Sequence, residues 1–207
     1  MLLILSFIQN TLRMCNIIKF LLDNFCHRRD AYCVMEKHKW QTRNGQLRNN
    51  YFDRIFEPIT EDLIRKHLNG DITMSIFPTD ILTQTVKFIC WDIDEPGIDI
   101  FKRILNIANL TRDKIGQGKI VIEASGTPGR HHVWLLFNTP IDLKDARSFI
   151  KNMYLNKIDL FPNQNIVIND YYCELPIRLP LGYHRVVKRF SYFVDESMNH
   201  IDVNSIL

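Results

Sequence analysis

The sequence has few cysteines, and their arrangement argues against two common ways of building a small cross-linked domain. Its five cysteines are an odd number and include no Cys-x-x-Cys pair. A disulfide framework needs paired cysteines, and a four-cysteine zinc site needs close pairs of ligands. We therefore expect reduced, mostly buried thiols and a cytoplasmic protein. A mixed metal site of Cys26, His27 and Cys33 stays open as an alternative.

The sequence also lacks a long hydrophobic run. The apolar start at residues 1–8 gives way to polar residues from Gln9 onwards, which makes it too short to span a bilayer. It has neither the basic region nor the small-residue cleavage site of a signal peptide. We expect a packing helix at this end and no association with a membrane.

Charge of either sign is in little excess. The formal net charge is +3, and charged residues make up 24% of the 207 residues against 46% for hydrophobic ones. Such a composition is typical of a soluble globular protein, and the length fits one domain. The total charge permits a nucleic-acid partner without requiring one. The cations are concentrated in two segments, residues 28–48 and 178–189.

Helices and strands interleave without a regular strand–helix–strand repeat, which predicts an α+β fold built on a central sheet. Helical spacing of apolar residues predicts helices over residues 12–25, 60–69, 98–109 and 142–153, with Thr60 and Asp142 as caps. Runs of β-prone residues predict strands over residues 30–35, 72–78, 86–94, 119–124, 131–137, 166–168 and 177–179, with a hairpin turn at Asn44 and Gly45.

Two aspartates end the most apolar of these strands. Asp92 and Asp94 follow a run of Val, Phe, Ile, Cys and Trp, and Pro96 and Gly97 stop the strand directly afterwards. Side chains alternate along a strand, so both carboxylates leave the same face. Their charges repel unless a cation lies between them, and Mg²⁺ or Mn²⁺ suits oxygen ligands. A strand end with two solvated carboxylates is the alternative.

A glycine-containing loop at residues 125–130 joins two predicted strands. Its glycines, proline and hydroxyls offer backbone N–H groups of the kind that bind phosphate. His132 lies just after it, on the same strand face as Trp134 and Leu136, and can hydrogen-bond a phosphate oxygen or donate a proton. The alternative is a histidine that only satisfies local hydrogen bonds. His131 points to the opposite face and is expected to be structural.

Two later segments add charge of both signs. Asp159 is followed by Phe-Pro at residues 161–162, and it is either a third metal-binding carboxylate or a solvated loop residue. Arg178 lies in a short strand, and a glycine turn after it presents His184 and Arg185. Arginine suits bidentate contact with phosphate, although a structural ion pair explains it equally well when the segment is read alone.

Taken in order, these segments resemble the archaeo-eukaryotic primase superfamily. The features are a hydrophobic strand ending in Asp-x-Asp, a Ser-Gly loop before His-hydrophobic-Trp, then D-x-F-P-x-Q and R-L-P-L-G-x-H. The similarity spans about residues 30–184 and is greatest to bacterial primase-polymerases, including those of CRISPR and other defence loci. It implies one catalytic core over residues 1–207. In that core an RRM-like central sheet, from about residue 81, packs with an N-terminal α/β part of about residues 1–80.

The resemblance also implies roles for the residues of the site. Asp92, Asp94 and Asp159 would bind two Mg²⁺ or Mn²⁺ ions, and His132, Arg178 and His184 would hold a nucleoside triphosphate, with His132 at the catalytic centre. Where the family often has a serine two places before the motif histidine, this sequence has Arg130, and the loop from Ser125 is longer. Ser125, Arg130 and Lys188 are therefore further candidates for the triphosphate contacts. The family's zinc-bearing insertion has no counterpart here.

The sequence thus predicts a DNA primase-polymerase, a template-directed nucleotidyltransferase acting on single-stranded DNA and nucleoside triphosphates, with CRISPR-adaptation or other defence proteins as partners. Chain initiation needs a second nucleotide, for which Arg185, Lys188, Arg189 and the basic segment 28–48 offer charge. Those cations serve equally to follow the template backbone. Two other classes remain as alternatives: a glycosyltransferase that binds a nucleotide sugar at Asp-x-Asp, and a non-catalytic RRM-like nucleic-acid-binding module.

Overall fold

The structure is a computed structural model of the chain, and it describes residues 2–36, 42–43, 46–47, 53–150, 158–168, 174–185 and 187–207. The helices are α1 (Leu2–Asn24), α2 (Glu61–Leu68), α3 (Ile98–Ile115) and α4 (Leu143–Ile150), with a 3₁₀ turn at Val203–Ser205. The strands are β1 (Tyr32–Glu36), β2 (Thr42–Arg43), β3 (Gln46–Leu47), β4 (Asp53–Ile55), β5 (Ile72–Ile76), β6 (Thr79–Asp80), β7 (Thr85–Ile93), β8 (Lys119–Ala124), β9 (His131–Asp142), β10 (Ile158–Phe161), β11 (Ile177–Arg178), β12 (Tyr183–His184), β13 (Arg189–Phe190) and β14 (Tyr192–Val194).

Two antiparallel sheets form the body of the molecule. The larger has six strands in the order β10-β7-β9-β8-β14, with β6 paired to the outer part of β7. The smaller has four strands in the order β11-β5-β1-β4. Mixed helices and antiparallel sheets confirm the predicted α+β class. Because β11 comes from late in the chain, the smaller sheet combines strands that are far apart in sequence.

The larger sheet is covered on both faces. Helices α3 and α4 pack on one face around Trp91 and Leu135, and α1 packs on the other around Trp134. The Trp134 ring centroid lies 5.0 Å from that of Phe25 and 5.1 Å from that of Phe88, both edge-to-face. Fully burying side chains of this size contributes about 1.5–3 kcal/mol each, so this aromatic cluster is a main support of the sheet.

A bulge in β7 decides which residues face the smaller sheet. The pairing of β7 with β9 shifts between Val86 and Phe88. Lys87 lies in this bulge, and its ammonium donates to the carbonyls of Phe137 and Asn138. Beyond the bulge the ordinary alternation resumes, which places Asp92 on the face of Phe88 rather than on that of the helix-covered core.

Most predicted helices and strands are present, although some of the helices are longer than predicted. The first helix is continuous from Leu2, although the polar residues from Gln9 suggested a break. None of the described helices combines the length and the apolar character needed to cross a membrane. Helix α3 continues to Ile115, where Gly116 takes up a left-handed conformation and ends it. Helix α2 begins at the predicted cap, where the hydroxyl of Thr60 accepts from the Leu63 N–H.

One predicted strand is wrong. Residues 166–168 form no strand, because the side chain of Gln84 satisfies the backbone there in place of a neighbouring strand. Its amide donates to the Val167 carbonyl over 2.7 Å, and its oxygen accepts from the Val167 N–H over 3.1 Å. Strands β2 and β3 pair as the hairpin prediction requires. The turn at Asn44 and Gly45, and residues 151–153 of the fourth predicted helix, lie outside the described residues.

A buried histidine fastens the segment after β11 to the rest of the fold. His67 of α2 accepts the Met74 N–H at Nδ1 and donates from Nε2 to the Pro180 carbonyl. Burial lowers the pKa of His67 to about 4, so the ring is neutral. Gly182 lies against this ring, and a Cβ atom added there would be 2.0 Å from its Cε1 atom. The glycine of this segment is thus required by packing.

Candidate active site

Four polar side chains form one row across the larger sheet. The strand register places Asp159 of β10 opposite Asp92 of β7, Asp92 opposite His132 of β9, and His132 opposite Glu123 of β8. Residues directly opposite each other in a sheet share a face, so all four project toward the same side. Two predicted metal ligands and the motif histidine are therefore neighbours, together with a glutamate that was not predicted.

His132 lies between two carboxylates. Its Nε2 atom is 3.3 Å from Asp92 Oδ1, and its Nδ1 atom is 2.8 Å from Glu123 Oε2. Burial alone lowers the pKa of a histidine, but the charges of Asp92 and Glu123 outweigh it and raise the pKa of His132 to about 10. The ring is therefore an imidazolium that donates from both nitrogens. Burial raises the pKa of Asp92, yet the His132 charge outweighs this and holds it below its usual range.

Asp94 leaves the end of the same strand and meets Arg130. The guanidinium Nη1 atom is 2.9 Å from Asp94 Oδ1, in a pair that is about half exposed. The loop between β8 and β9 is closed on itself by a hydrogen bond from the Ser125 N–H to the Arg130 carbonyl. Gly129 has a φ of 77°, and a Cβ atom there would approach Pro96 Cβ to 2.7 Å. Glycine at this position lets the loop pack closely on the exit of the aspartate strand.

Asp159 is exposed beside Asp92, at the edge of the row. Burial, and then the charges of Asp92 and Asp94, raise the pKa of its carboxyl. Three mutually repelling oxygen donors are the set that a hard divalent cation would stabilise, so the chemistry of these side chains fits Mg²⁺ or Mn²⁺. Among the described residues, no three His, Cys, Asp or Glu side chains are already drawn together around one ion position.

Arg178 reaches the site from the smaller sheet. Strand β11 pairs with β5, and the Arg178 guanidinium donates from Nη2 to the Ser125 carbonyl over 3.0 Å. Its Nε–H is buried and has no hydrogen-bond partner in the described part of the chain. His184 lies nearby, and burial followed by the charges of Arg178, Arg130 and His132 lowers its pKa to about 4. This part of the site is strongly electropositive and has a free donor.

A cleft of about 370 Å³ lies between the two sheets and brings these groups together. Its volume is within the range of small-molecule sites, about 300–1,000 Å³. The lining residues come from both sheets and from the loops beside them: Met35, Thr73, Ser75, Asp92, Asp94, Ser125, Thr127, Arg130, His132, Phe161, Pro176, Ile177, Arg178, His184 and Arg185. Carboxylates and cations thus face one another across a shared cavity.

Comparison with protein families identifies the type of domain. Residues 24–206 match the model of a family described as the archaeo-eukaryotic primase domain of the TOTE conflict system. The chain belongs to this family. An archaeo-eukaryotic primase domain is a primase-like nucleotidyltransferase domain. The description of the family also associates it with a conflict, or defence, system. The predicted superfamily is thereby confirmed, whereas a link to CRISPR stays a prediction. Among curated proteins, no match is found.

Two of the predicted triphosphate-binding or nucleotide-binding cations, Lys188 and Arg185, are placed differently from Arg130 and Arg178. Lys188 is exposed, on the turn between β12 and β13, and is not among the described residues that line the cleft. Arg185 lines the cleft, but its guanidinium donates to the backbone carbonyls of Met35, Gly70 and Asp71. Arg185 therefore also fixes the smaller sheet and the turn after α2.

The alternative metal site of Cys26, His27 and Cys33 gains no support from the structure. Burial raises the pKa of the Cys26 thiol to about 12, which disfavours the thiolate that binds metal. His27 instead shares a hydrogen bond of 2.8 Å with the Thr85 hydroxyl.

Sequence reasoning missed Glu123, Thr73 and Ser75. A charged residue within the otherwise apolar strand β8 was a usable signal for Glu123.

Proposed function

We propose that the chain is a template-directed primase-polymerase that joins nucleoside triphosphates on single-stranded DNA. The observation that carries the proposal is the cleft in which Asp92 and Asp94 face Arg130, Arg178 and His132. Phosphoryl transfer is catalysed mostly by positioning and by stabilising charge, and this site combines carboxylates with cations that come from both sheets and the loops beside them.

The triphosphate is held by the electropositive side of the cleft. The Arg178 guanidinium lines this side of the cleft and supplies its positive charge to a phosphate oxygen, and its Nη2–H keeps the Ser125 loop in place. His132 adds a second positive charge beside Asp92. Arg130 and His184 complete the set. Burial is the main cause of the low pKa of His184, and a bound triphosphate would counter the further lowering by the Arg178 and Arg130 charges.

Asp92, Asp94 and Asp159 would hold the divalent cations, Mg²⁺ or Mn²⁺, and Arg130 would then leave Asp94 for the triphosphate. When bound, such cations lower the pKa of an attacking hydroxyl and neutralise charge on the leaving oxygens.

In the reaction, the 3′-hydroxyl oxygen of one nucleotide loses its proton to solvent and bonds to the α-phosphorus of the next, and the bond from that phosphorus to the bridging oxygen of pyrophosphate breaks. Arg178 and His132 keep the triphosphate in line and stabilise the charge that develops on its oxygens.

The element order supports an RRM-like catalytic unit within the fold. From β7 to β10 the order is β7-α3-β8-β9-α4-β10, and the four strands lie in the sheet as β10-β7-β9-β8, all antiparallel. A β-α-β-β-α-β unit with both helices on one face is the arrangement that we propose for the catalytic half. The smaller sheet, with α1 and α2, is the N-terminal part, and the two act as one core because residues of both line the cleft.

Neither alternative class is favoured by the geometry. A non-catalytic RRM-like module would present aromatic side chains on an open sheet face, whereas Phe88 and Trp134 are buried under α1. A glycosyltransferase has no need of Arg178 and Asp159 around the same aspartates. We propose a cytoplasmic defence role, which accords with the free thiols of the described cysteines and with the family description.

Nucleotide incorporation on a primed template, measured beside hydrolysis of nucleotide sugars, tests the proposal. We expect incorporation with Mg²⁺ or Mn²⁺ and no sugar hydrolysis. Asp92→Asn should lower the rate by several orders of magnitude, while Asp145→Asn, an exposed acid in α4, should leave it unchanged. Brisk incorporation by Asp92→Asn would refute the assignment of the metal site.

A further inference from the structure

Glu123 lies at the buried end of the active-site row, and no role has been assigned to it so far. Its carboxylate is fully buried, two strands away from Asp92. Oε2 accepts from His132 Nδ1 at 2.8 Å and from Trp134 Nε1 at 3.1 Å. Oε1 has no hydrogen-bond partner in the described residues. Ser191 is near enough for its hydroxyl to lower the pKa of Glu123, but it makes no proper hydrogen bond with Oε1.

This arrangement is a poor solution for stability alone. Burying a carboxylate is costly, and an oxygen without a partner adds to the cost. A buried ion pair is often no better for folding than apolar residues of the same size. Strand β8 is otherwise filled by buried Val121 and Ile122 at its centre, so an apolar residue would fit the local pattern. The charge at this position therefore calls for a role beyond packing.

The geometry indicates what that role is. Because Glu123 holds Nδ1, the His132 ring has little freedom to rotate. Its Nε2 atom faces Asp92 Oδ1 and the cleft. Trp134 holds the glutamate carboxylate in turn, so its orientation is set by the aromatic cluster of the core. Outer hydrogen bonds of this kind fix the orientation of metal-binding groups in other proteins, and losing them lowers metal affinity or activity about 10- to 100-fold.

We propose that Glu123 is a positioning residue that acts through His132 to fix the metal-binding carboxylate of Asp92 and to keep the imidazolium charge beside the triphosphate. The inference rests on the proposed function for its substrate but concerns residues that the fold itself brings together. Sequence position supports it as well, because the hairpin between β8 and β9 places residue 123 directly opposite residue 132.

Two substitutions separate positioning from packing. Glu123→Gln keeps an oxygen that can accept from both His132 and Trp134, whereas Glu123→Met has a similar volume and no such acceptor. As a matched control, Glu174→Gln changes another fully buried carboxylate, which accepts from Thr79 and does not line the cleft. Each variant is measured for Mn²⁺ affinity by electron paramagnetic resonance without nucleotide, for the ¹⁵N shifts of the His132 ring, for unfolding free energy, and for kcat and KM of incorporation.

We expect Glu123→Met to lower Mn²⁺ affinity at least 10-fold, to lower kcat, to shift the His132 ring resonances, and to lower folding stability, because His132 Nδ1–H and Trp134 Nε1–H lose their acceptor. Glu123→Gln should stay within about 3-fold of the wild-type affinity, and Glu174→Gln should leave metal binding unchanged.

The inference is overturned if Glu123→Met folds and keeps wild-type metal affinity and kinetics, or if both Glu123 variants lose stability and activity in proportion. Wild-type protein that binds no Mn²⁺ would overturn it together with the metal site. A loss of Mn²⁺ affinity in Glu123→Met, in a protein that incorporates no nucleotide on any template, would leave the positioning role standing and refute the proposed reaction.

Discussion

Arg178 is the side chain whose removal should tell most about substrate binding. It is half-buried, comes from the smaller sheet and lines the cleft, while its Nη2 donates to the Ser125 carbonyl. A charge-assisted hydrogen bond contributes about 1.5–3 kcal/mol net, and each 1.4 kcal/mol is tenfold in binding. Arg178→Ala should therefore raise the KM for nucleoside triphosphate about 10- to 150-fold, with a smaller fall in kcat.

A series at this position tests the reasoning. Arg178→Lys retains the positive charge but loses the planar set of guanidinium donors and the hydrogen bond to the Ser125 loop. Its KM should therefore lie between those of the alanine variant and the wild type. Steady-state extension of a primed template gives both constants, and Arg112→Ala, a surface change in α3, serves as the control. A KM that is unchanged in Arg178→Ala, with the fold intact, would show that the phosphates bind elsewhere.

Further expectations concern metal, packing, pH and initiation. Asp159→Ala should reduce incorporation by several orders of magnitude and weaken Mn²⁺ binding, and near-normal values would remove Asp159 from the ligand set. Gly182→Ala should cost about 1–3 kcal/mol or more in urea denaturation, because the new Cβ atom overlaps the His67 ring, and an unchanged midpoint would contradict that contact. The pKa of His67 is about 4 in the fold against the usual 6.5, so its contribution is complete above pH 6.5 and is lost as the pH falls toward 4. Unfolding free energy should thus decrease by about 3 kcal/mol over that range, less so in His67→Gln, and parallel pH profiles would refute a neutral buried ring. Unprimed dinucleotide synthesis should be lost on neutralising Lys188 and Arg189 while primed extension persists; brisk extension by the wild type without any unprimed product would make the protein a polymerase only.

The part of the site that follows from local pattern was predictable. Alternation along a strand placed Asp92 and Asp94 on one face and His132 with Trp134 on another strand, and the structure has both arrangements. The pairing of Glu123 with His132 was also within reach, since it follows from a hairpin closed by residues 125–130. It was missed because His132 was considered only within its own strand, without the register between that strand and the one before it.

Other contacts depend on pairings between distant segments, which no local pattern reveals. Asp159 lies opposite Asp92 only because β10 pairs with β7, 67 residues earlier at these two positions. The false strand at residues 166–168 has the same origin. An apolar run predicts a strand from its composition, but the backbone partner there is the side chain of Gln84, and a single amide leaves no trace in the pattern of the run.

The late position of β11 has a consequence for how the protein is made. A ribosome releases β1, β4 and β5 long before residues 177–178. The β5 edge of the smaller sheet therefore stays unpaired until β11 emerges. An exposed edge of this kind can pair with any extended segment that reaches it first. The strand that finally occupies it carries Arg178, so the edge becomes protected and the cleft receives this cation in the same event. Nascent chains stalled before residue 177 should accordingly be prone to aggregation, and a peptide that mimics β11 should compete for the same edge.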